Sequence, residues 1–309
     1  MKKTLITGST GFVGINLIKY LAINAEASLL FVNRKNVYGG ENSYTYTDFF
    51  NGDVSAHHYI HLAGKAHDLK QTSDDEEYFK VNFELTKSIF DRFLKDREAE
   101  TFIYISSVKA AKDSINEVLT EDALPDPKTA YGRSKRKAEE YLMNNVPADK
   151  NVYILRPCMI HGPSNKGNLN LLYNMISKGI PYPLGAFENK RSFLSIENLC
   201  FLIHQLIKRP IESGIYNVAD DKPISTNELV KLMGDSMGKK ATILTLPKKV
   251  ILGLVRMGDV FRLPINSERL QKLTEDYVVS NKKLLENMTV ELPLSSNEGL
   301  RQTFNSFKK

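Results

Sequence analysis

Along this chain, short unbroken apolar runs alternate with longer stretches in which apolar residues recur every three or four positions. Residues 4–7, 28–32, 59–62, 102–105 and 152–155 are too short for helices, carry β-branched and aromatic side chains, and predict buried strands. Residues 14–23, 77–94 and 131–143 separate them with helical periodicity. Strand and helix in alternation predict a parallel sheet covered on both faces, a Rossmann-type doubly wound α/β fold. Residues 44–47 supply a third strand. Between Asp48 and His58 a crossover helix does not fit comfortably, so a loop is expected there.

Beyond Pro157 the texture changes. Residues 162–185 are rich in Gly, Pro and Asn around one helix near 169–177, which predicts substrate-facing loops on a rigid scaffold. Helices follow near 226–233, 248–257 and 298–307. The expected division is a dinucleotide-binding domain over 1–162, with segments around 191–218 returning to it. Residues 163–309 then form mainly a smaller C-terminal substrate-binding α/β lobe.

Composition narrows the class without changing this picture. The 309 residues are 42% hydrophobic and 25% charged, with a net charge of +6, ordinary for a soluble globular protein. Lys and Arg are dispersed, and the cluster 133–137 fits a solvated helix face better than a nucleic-acid patch. A basic balance also suits an anionic substrate. Two cysteines, Cys158 and Cys200, argue against a disulfide framework or a Cys-based zinc site. His57, His58 and His61 lack a companion carboxylate cluster, so no metal is expected. The polar, Gly-rich start and the lack of a run of about 18 apolar residues predict a cytoplasmic protein with no membrane partner and no nucleic acid.

Candidate chemistry begins with Gly8-Ser9-Thr10-Gly11-Phe12-Val13-Gly14, which follows the first strand and opens a helix. Glycines here let backbone approach a pyrophosphate, which then lies at the positive end of the helix. Packing alone can also place glycines at such a turn. Where an acidic residue would hold the ribose of NAD, strand two ends Val32-Asn33-Arg34-Lys35, which favours the 2′-phosphate of NADP. Arg34 could equally stack on adenine or face solvent. Of the 14 tyrosines only Tyr131 has a lysine four residues on, and that spacing puts Tyr131 and Lys135 on one helical face. The Lys135 ammonium can then lower the Tyr131 phenol pKa and fit it for acid–base work, although an exposed helical tyrosine would show the same spacing. Ser106-Ser107 ends a buried strand on the crevice side of the sheet, where a capping pair would also sit. Together, Gly loop, Ser pair and Tyr/Lys fall in the order needed to surround one nicotinamide ring.

These segments, with His61-Leu62-Ala63-Gly64, Val81-Asn82, Thr86 and Leu155-Arg156-Pro157, resemble the extended short-chain dehydrogenase/reductase family. Lys166-Gly167-Asn168, residues 179–185, Arg191-Ser192-Phe193 and Asn297-Glu298-Gly299-Leu300 resemble its nucleotide-sugar 4-epimerase branch, over nearly the whole chain. The resemblance implies that Tyr131 takes the proton from sugar O4, Ser107 hydrogen-bonds that oxygen, and Lys135 holds the nicotinamide ribose. It implies a cofactor, NAD or NADP, lined by Gly8, Thr10, Gly11, Phe12, Val13, Gly14, Asn33, Arg34, Leu62, Ala63, Gly64, Asn82, Ser106, Pro157 and Cys158. Asp48 with Phe49 would reach the adenine, with Asp53 a rival. Arg191 would clamp the diphosphate of a UDP-sugar, and Asn168 and Arg269 are further substrate candidates. A homodimer through helices 77–94 and 131–143 is implied in the same way.

Some positions depart from the family pattern. Ala111-Lys112 replaces an aromatic-glycine pair, and His161 stands where an aromatic often precedes Gly-Pro. Val108-Lys109 replaces the Asp-Glu of sugar 4,6-dehydratases, which argues against dehydration. Three functions remain: a 4-epimerase, an NADPH-dependent 4-keto reductase, and a non-catalytic NADP sensor. The Tyr/Lys pair argues against the sensor. The loops 65–71, 164–170 and 264–275 are expected to shape the sugar pocket.

Overall fold

The computed structural model describes residues 2–24, 28–65, 74–165, 167–260 and 266–308, without the side chains of 168, 258, 260, 268, 269 and 272. Seven parallel strands form the main sheet: β1 (Lys3–Thr7), β2 (Ser28–Asn33), β3 (Ser43–Thr45), β4 (His58–His61), β5 (Thr101–Ile105), β6 (Asn151–Pro157) and β10 (Gly214–Val218). Their spatial order is β10-β6-β5-β4-β1-β2-β3. The order reverses at β1, whose Thr7 pairs with Val32 on one side and His61 on the other. A doubly wound sheet opens its ligand crevice at the carboxyl ends of the strands beside such a reversal.

The two faces of the sheet follow the period of two. Ile6, Ile60, Ile103 and Leu155 point to one face and pack with Leu17 and Leu21 of α1 (Phe12–Asn24). Leu199, Leu202, Ile203 and Leu206 of α7 (Ile196–Lys208) share that layer, a helix added to those expected from the sequence. Leu5, Tyr59, Phe102 and Ile154 point to the other face, against Ile89, Phe90 and Phe93 of α4 (Leu85–Lys95) and Ala138 and Leu142 of α5 (Ala130–Asn144).

Two elements differ from the expected ones. The third strand stops at Thr45, and α2 (Tyr46–Asn51) occupies part of the anticipated loop. A reciprocal capping box starts it: the Thr45 side chain accepts from the Asp48 N–H, and the Asp48 carboxylate accepts from the Thr45 N–H. The single helix expected over 77–94 begins instead as α3 (Asp75–Phe79) and passes through a π-helical turn (Lys80–Glu84) into α4.

The rest of the chain builds the smaller lobe. Its secondary strands are β7 (Met159–His161), β8 (Lys190–Arg191), β9 (Phe193–Ser195) and β11 (Ile224–Ser225), paired β7 with β9 and β8 with β11. A separate core joins α6 (Asn168–Ser177), α8 (Thr226–Ser236) and α12 (Ser296–Asn305) through Leu169, Tyr173, Leu229, Met233 and Phe304. Beside it lie α9 (Lys248–Val260) and α10 (Ser267–Thr274), while α11 (Lys282–Met288) packs through Leu284 and Met288 into the core of the main sheet. Among the described residues, no helix is long and apolar enough to cross a membrane.

Candidate active site

The loop after β1 is closed by backbone. Gly8 has φ +69°, and a Cβ there would lie 2.6 Å from the Ala63 nitrogen; one on Gly14 would lie 2.5 Å from the Gly8 carbonyl. The Gly11 N–H donates to the Gly8 carbonyl at 3.0 Å, so the turn is tight before α1 begins. Above it opens a cleft of about 420 Å³ lined by Gly8, Thr10, Gly11, Asn33, Arg34, Leu62, Ala63 and Gly64, all anticipated, together with Lys35, Val37, Tyr46, Val81 and Leu85. A cradle that excludes side chains, at a helix N-terminus, fits the pyrophosphate of a dinucleotide. Val37 escaped the sequence because it comes from an irregular segment whose course no motif fixes, and Tyr46 because it opens α2 where a strand was expected.

The other anticipated cofactor residues divide. Phe12 and Val13 pack against the core beneath the loop. Pro157 ends β6 and Cys158 is buried beside it, where burial pushes the thiol pKa up. Phe49 is wholly buried with Leu5, Tyr59 and Phe93, and Asp48 is engaged in its capping box; neither lines the cleft, where Tyr46 stands instead. Asp53 is exposed, 4.0 Å from Arg92. Asn33 is nearly buried and exchanges hydrogen bonds with the Ser9 hydroxyl at 2.8 and 3.0 Å, so the loop and the end of β2 are tied together. The cleft wall at this end carries the cations of Arg34 and Lys35 and no carboxylate.

The catalytic candidates converge at the carboxyl end of β5. Ser107 caps a short 3₁₀ turn (Val108–Ala110), and its hydroxyl shares a hydrogen bond with the Tyr131 phenol. Thr129 caps α5, so Tyr131 lies in its first turn and Lys135 one turn on. Lys135 is buried; its Nζ donates to the Ile105 carbonyl at 2.8 Å and lies 4.7 Å from the centre of the Tyr104 ring. Burial pulls the Lys135 pKa down to about 8, with Glu139 opposing. Burial pushes the Tyr131 phenol up, the Ser107 hydrogen bond offsetting part of this, so the lowered phenol expected from the Tyr/Lys spacing is not found. Tyr78 packs edge-on against Tyr131 with ring centres 6.2 Å apart.

A buried polar platform supports these groups. Ser106 donates to Glu139 at 2.6 Å, and Arg156 grips the same carboxylate through Nε at 2.9 Å and Nη2 at 2.6 Å. Glu139, eight residues after Tyr131, went unread because nothing in a single sequence marks a buried carboxylate on a charged helix. Asn82 sits in the π-helical turn, donates to Ser134 at 3.1 Å and accepts from the Lys65 N–H at 2.7 Å, joining the loop after β4 to α5. Local π turns recur at functional sites, where one extra residue re-aims a side chain.

His61 bridges Thr7 and Thr86 at 2.6 and 2.9 Å, and burial with the Lys135 charge holds it down to about 3. His161 is buried, 2.8 Å from the Thr303 hydroxyl. Arg191, the expected diphosphate clamp, donates through Nε to the Glu275 carbonyl at 3.2 Å, and its Nη2 lies 3.6 Å from the Glu275 carboxylate. The adjoining Tyr277 hydroxyl donates to the Lys112 carbonyl beside the 3₁₀ turn. The side chains of Asn168 and Arg269, and loop residues 66–71, 166 and 264–265, lie outside the described residues.

Comparison with known proteins agrees with this geometry. The chain is 30% identical to UDP-glucose 4-epimerase of Vibrio cholerae, over 99% of this chain and 95% of that one. Its fold matches UDP-glucuronic acid 4-epimerase from Bacillus cereus in complex with NAD (TM-score 0.75, 18% identity, 99% and 98% of the two chains). It also matches human epimerase family protein SDR39U1 with NADPH (TM-score 0.77, 17% identity, 98% and 99%). A family description, NAD dependent epimerase/dehydratase, matches residues 4–219, which take in the Gly loop, the Ser107–Tyr131–Lys135 group and every strand of the main sheet. The chain therefore belongs to the NAD dependent epimerase/dehydratase family, and is an NAD(P)-dependent enzyme of its nucleotide-sugar epimerase branch.

Proposed function

We propose that this chain is a nucleotide-sugar 4-epimerase, acting on UDP-glucose or a UDP-N-acetylhexosamine. The observation that carries it is the Ser107–Tyr131 hydrogen bond beside buried Lys135, at the crevice end of β5 and next to the Gly-loop cleft. NAD(P) bound in that cleft supplies a reversible hydride acceptor for the C4 hydrogen. Tyr131 takes the O4 proton as hydride leaves C4 and returns it after the keto sugar has turned over, so each proton and hydride removed is restored. Ser107 holds the oxygen in line. Lys135, one turn along α5, is the cation available to lower the phenol. Arg191 offers a planar fork to the diphosphate, in exchange for its contact with Glu275. Asn168 and Arg269 are assigned to the same substrate, with residues 163–309 forming most of its lobe. A homodimer through α4 and α5 belongs to the same proposal.

A second function, reduction of a UDP-linked 4-keto-6-deoxyhexosamine by NADPH, is favoured by one observation. The ribose end of the cleft presents Arg34 and Lys35 without a carboxylate, the charge that a 2′-phosphate requires. Denaturing the purified protein and identifying the released nucleotide separates the two. Near-stoichiometric NAD is the epimerase result. A protein that releases none and takes up NADPH reversibly would overturn the epimerase in favour of the reductase.

A further inference from the structure

Among the described residues, helix α9 has more apolar surface than its neighbours cover. Ile251 and Val255 turn inward with Leu270 of α10, against Leu184 and Phe187. Val250, Leu254 and Met257 follow the i, i+4, i+7 spacing of one adjacent stripe, and stand 50%, 58% and 56% exposed. Leu246, just before the helix, and Leu273 of α10 are exposed as well. Single exposed apolar side chains are ordinary, but an aligned stripe marks a surface that meets something apolar.

Charge identifies the partner. Exposed Lys249 and Arg256, seven residues apart, share one arc of the helix, and Lys248 lies at its start. Asp259, the only carboxylate in α9, accepts hydrogen bonds from Ser267 and so caps α10. The outward face thus carries an apolar stripe beside a cationic arc, with Leu252, 45% exposed, on the far side of that arc. A second copy of the chain meeting this face would set Lys249 and Arg256 against their own like charges. An anionic lipid surface offers both what the stripe lacks and what the cations attract.

We propose that α9 is an interfacial helix that docks the enzyme on an anionic bilayer. Val250, Leu254 and Met257 enter the headgroup–acyl boundary, and Lys249 and Arg256 meet lipid phosphates. The expectation of no membrane partner rested on the lack of a spanning run, and a 13-residue helix lying in the interface escapes that criterion. Docking there brings the substrate side of the molecule to the membrane. α10 is tied to the Arg191 strand through Asn189, which donates to the Leu273 carbonyl, and through the Glu275 contacts. The proposal stands whether the reaction is epimerisation or reduction.

The test is flotation of the full chain with phosphatidylethanolamine vesicles with and without phosphatidylglycerol. The protein is expected to float with the anionic vesicles at low salt and to stay behind with neutral ones. Combining Leu254→Asp with Met257→Asp is expected to lower vesicle partitioning about tenfold or more. Combining Lys249→Gln with Arg256→Gln is expected to abolish the preference for phosphatidylglycerol. Turnover of a soluble nucleotide sugar and the melting temperature should be unchanged in both, since these side chains are exposed. Wild-type protein that does not float overturns the proposal, as do variants of either pair that float like wild type. A wild-type dimer that the Leu254/Met257 pair dissociates, with no flotation, also overturns it by assigning the stripe to a second copy.

Discussion

In the proposed mechanism, Tyr131 and Lys135 divide two chemical jobs within one turn of helix. Lys135 is buried and Tyr131 partly so, and burial acts on them in opposite directions: it keeps the phenol protonated and weakens the ammonium. Tyr131→Phe removes the proton carrier while keeping the ring against Tyr78. It is expected to cut turnover by about 10²–10⁴-fold with NAD(P) binding nearly unchanged. Steady-state kinetics beside a fluorescence titration of the cofactor checks this, and preserved turnover would remove Tyr131 from the chemistry. With the role proposed for it, Lys135 is expected to set an alkaline limit. Its ammonium is complete well below its value of about 8, so kcat/KM, which reports the free enzyme, should fall along a limb centred near there. The stability sign runs the other way. A lysine whose folded pKa lies below its unfolded value binds fewer protons folded, so its contribution improves as pH rises from about 8 to about 10.5. A pH–rate profile that stays flat well above that limb would show that the charge on Lys135 is not needed.

Among the elements, the joint between β5, α5 and β6 concentrates the most electrostatic risk. Glu139 is fully buried and Arg156 nearly so, and their bidentate pair also fixes Ser106. Glu139→Gln leaves a buried guanidinium without its counter-charge and is expected to destabilise the protein by about 3–5 kcal/mol. Urea unfolding measures it; a loss of a few tenths would mean water reaches Arg156. This joint also shows what a single sequence conceals. The strand β5 and the helix α5 were legible because apolar runs and helical spacing repeat over many residues. The pair between Glu139 and Arg156 was not, because it depends on two elements meeting in space. The same holds for α2, where a local capping box prevailed over an anticipated loop, and for the π turn, since one extra residue leaves the apolar pattern almost intact.

For the whole molecule, the doubly wound sheet and the Gly-loop, Ser107, Tyr131 and Lys135 centre could be read in advance because motif and periodicity agree there. The far end of the cleft could not: Phe49, a cofactor candidate by resemblance, fills the core, and Tyr46, one helical turn earlier, lines the cleft. Burial of neutral histidines gives the molecule a predictable acid weakness. His58 is held down to about 4, His61 to about 3, and His204 is lowered too, all chiefly by burial. In the unfolded chain each binds its proton near about 6.5, so folded molecules bind fewer protons and stability falls as pH drops through that value. Carboxylates held low by their hydrogen bonds, such as Asp96, add their loss only below about 4. Thermal melts should therefore decline already between about pH 6.5 and 4.5, and a constant melting temperature across that interval would show that these rings accept protons while folded.

The strand β10 carries a consequence for how the protein is made. β6 has β5 on one side from early in synthesis, but its other edge waits for β10, which leaves the ribosome only after β7, α6, β8, β9 and α7. Until then a nearly all-buried strand keeps a row of unpaired backbone groups, a template for misassembly between nascent chains. A fragment cut at residue 162 would keep that edge open permanently. The family match runs to residue 219, one past the end of β10. Recombination among such enzymes that swapped a lobe at 162 would thus seat a foreign β10 against β6, whereas an exchange that carried the chain through Val218 would keep the ladder's own strands together.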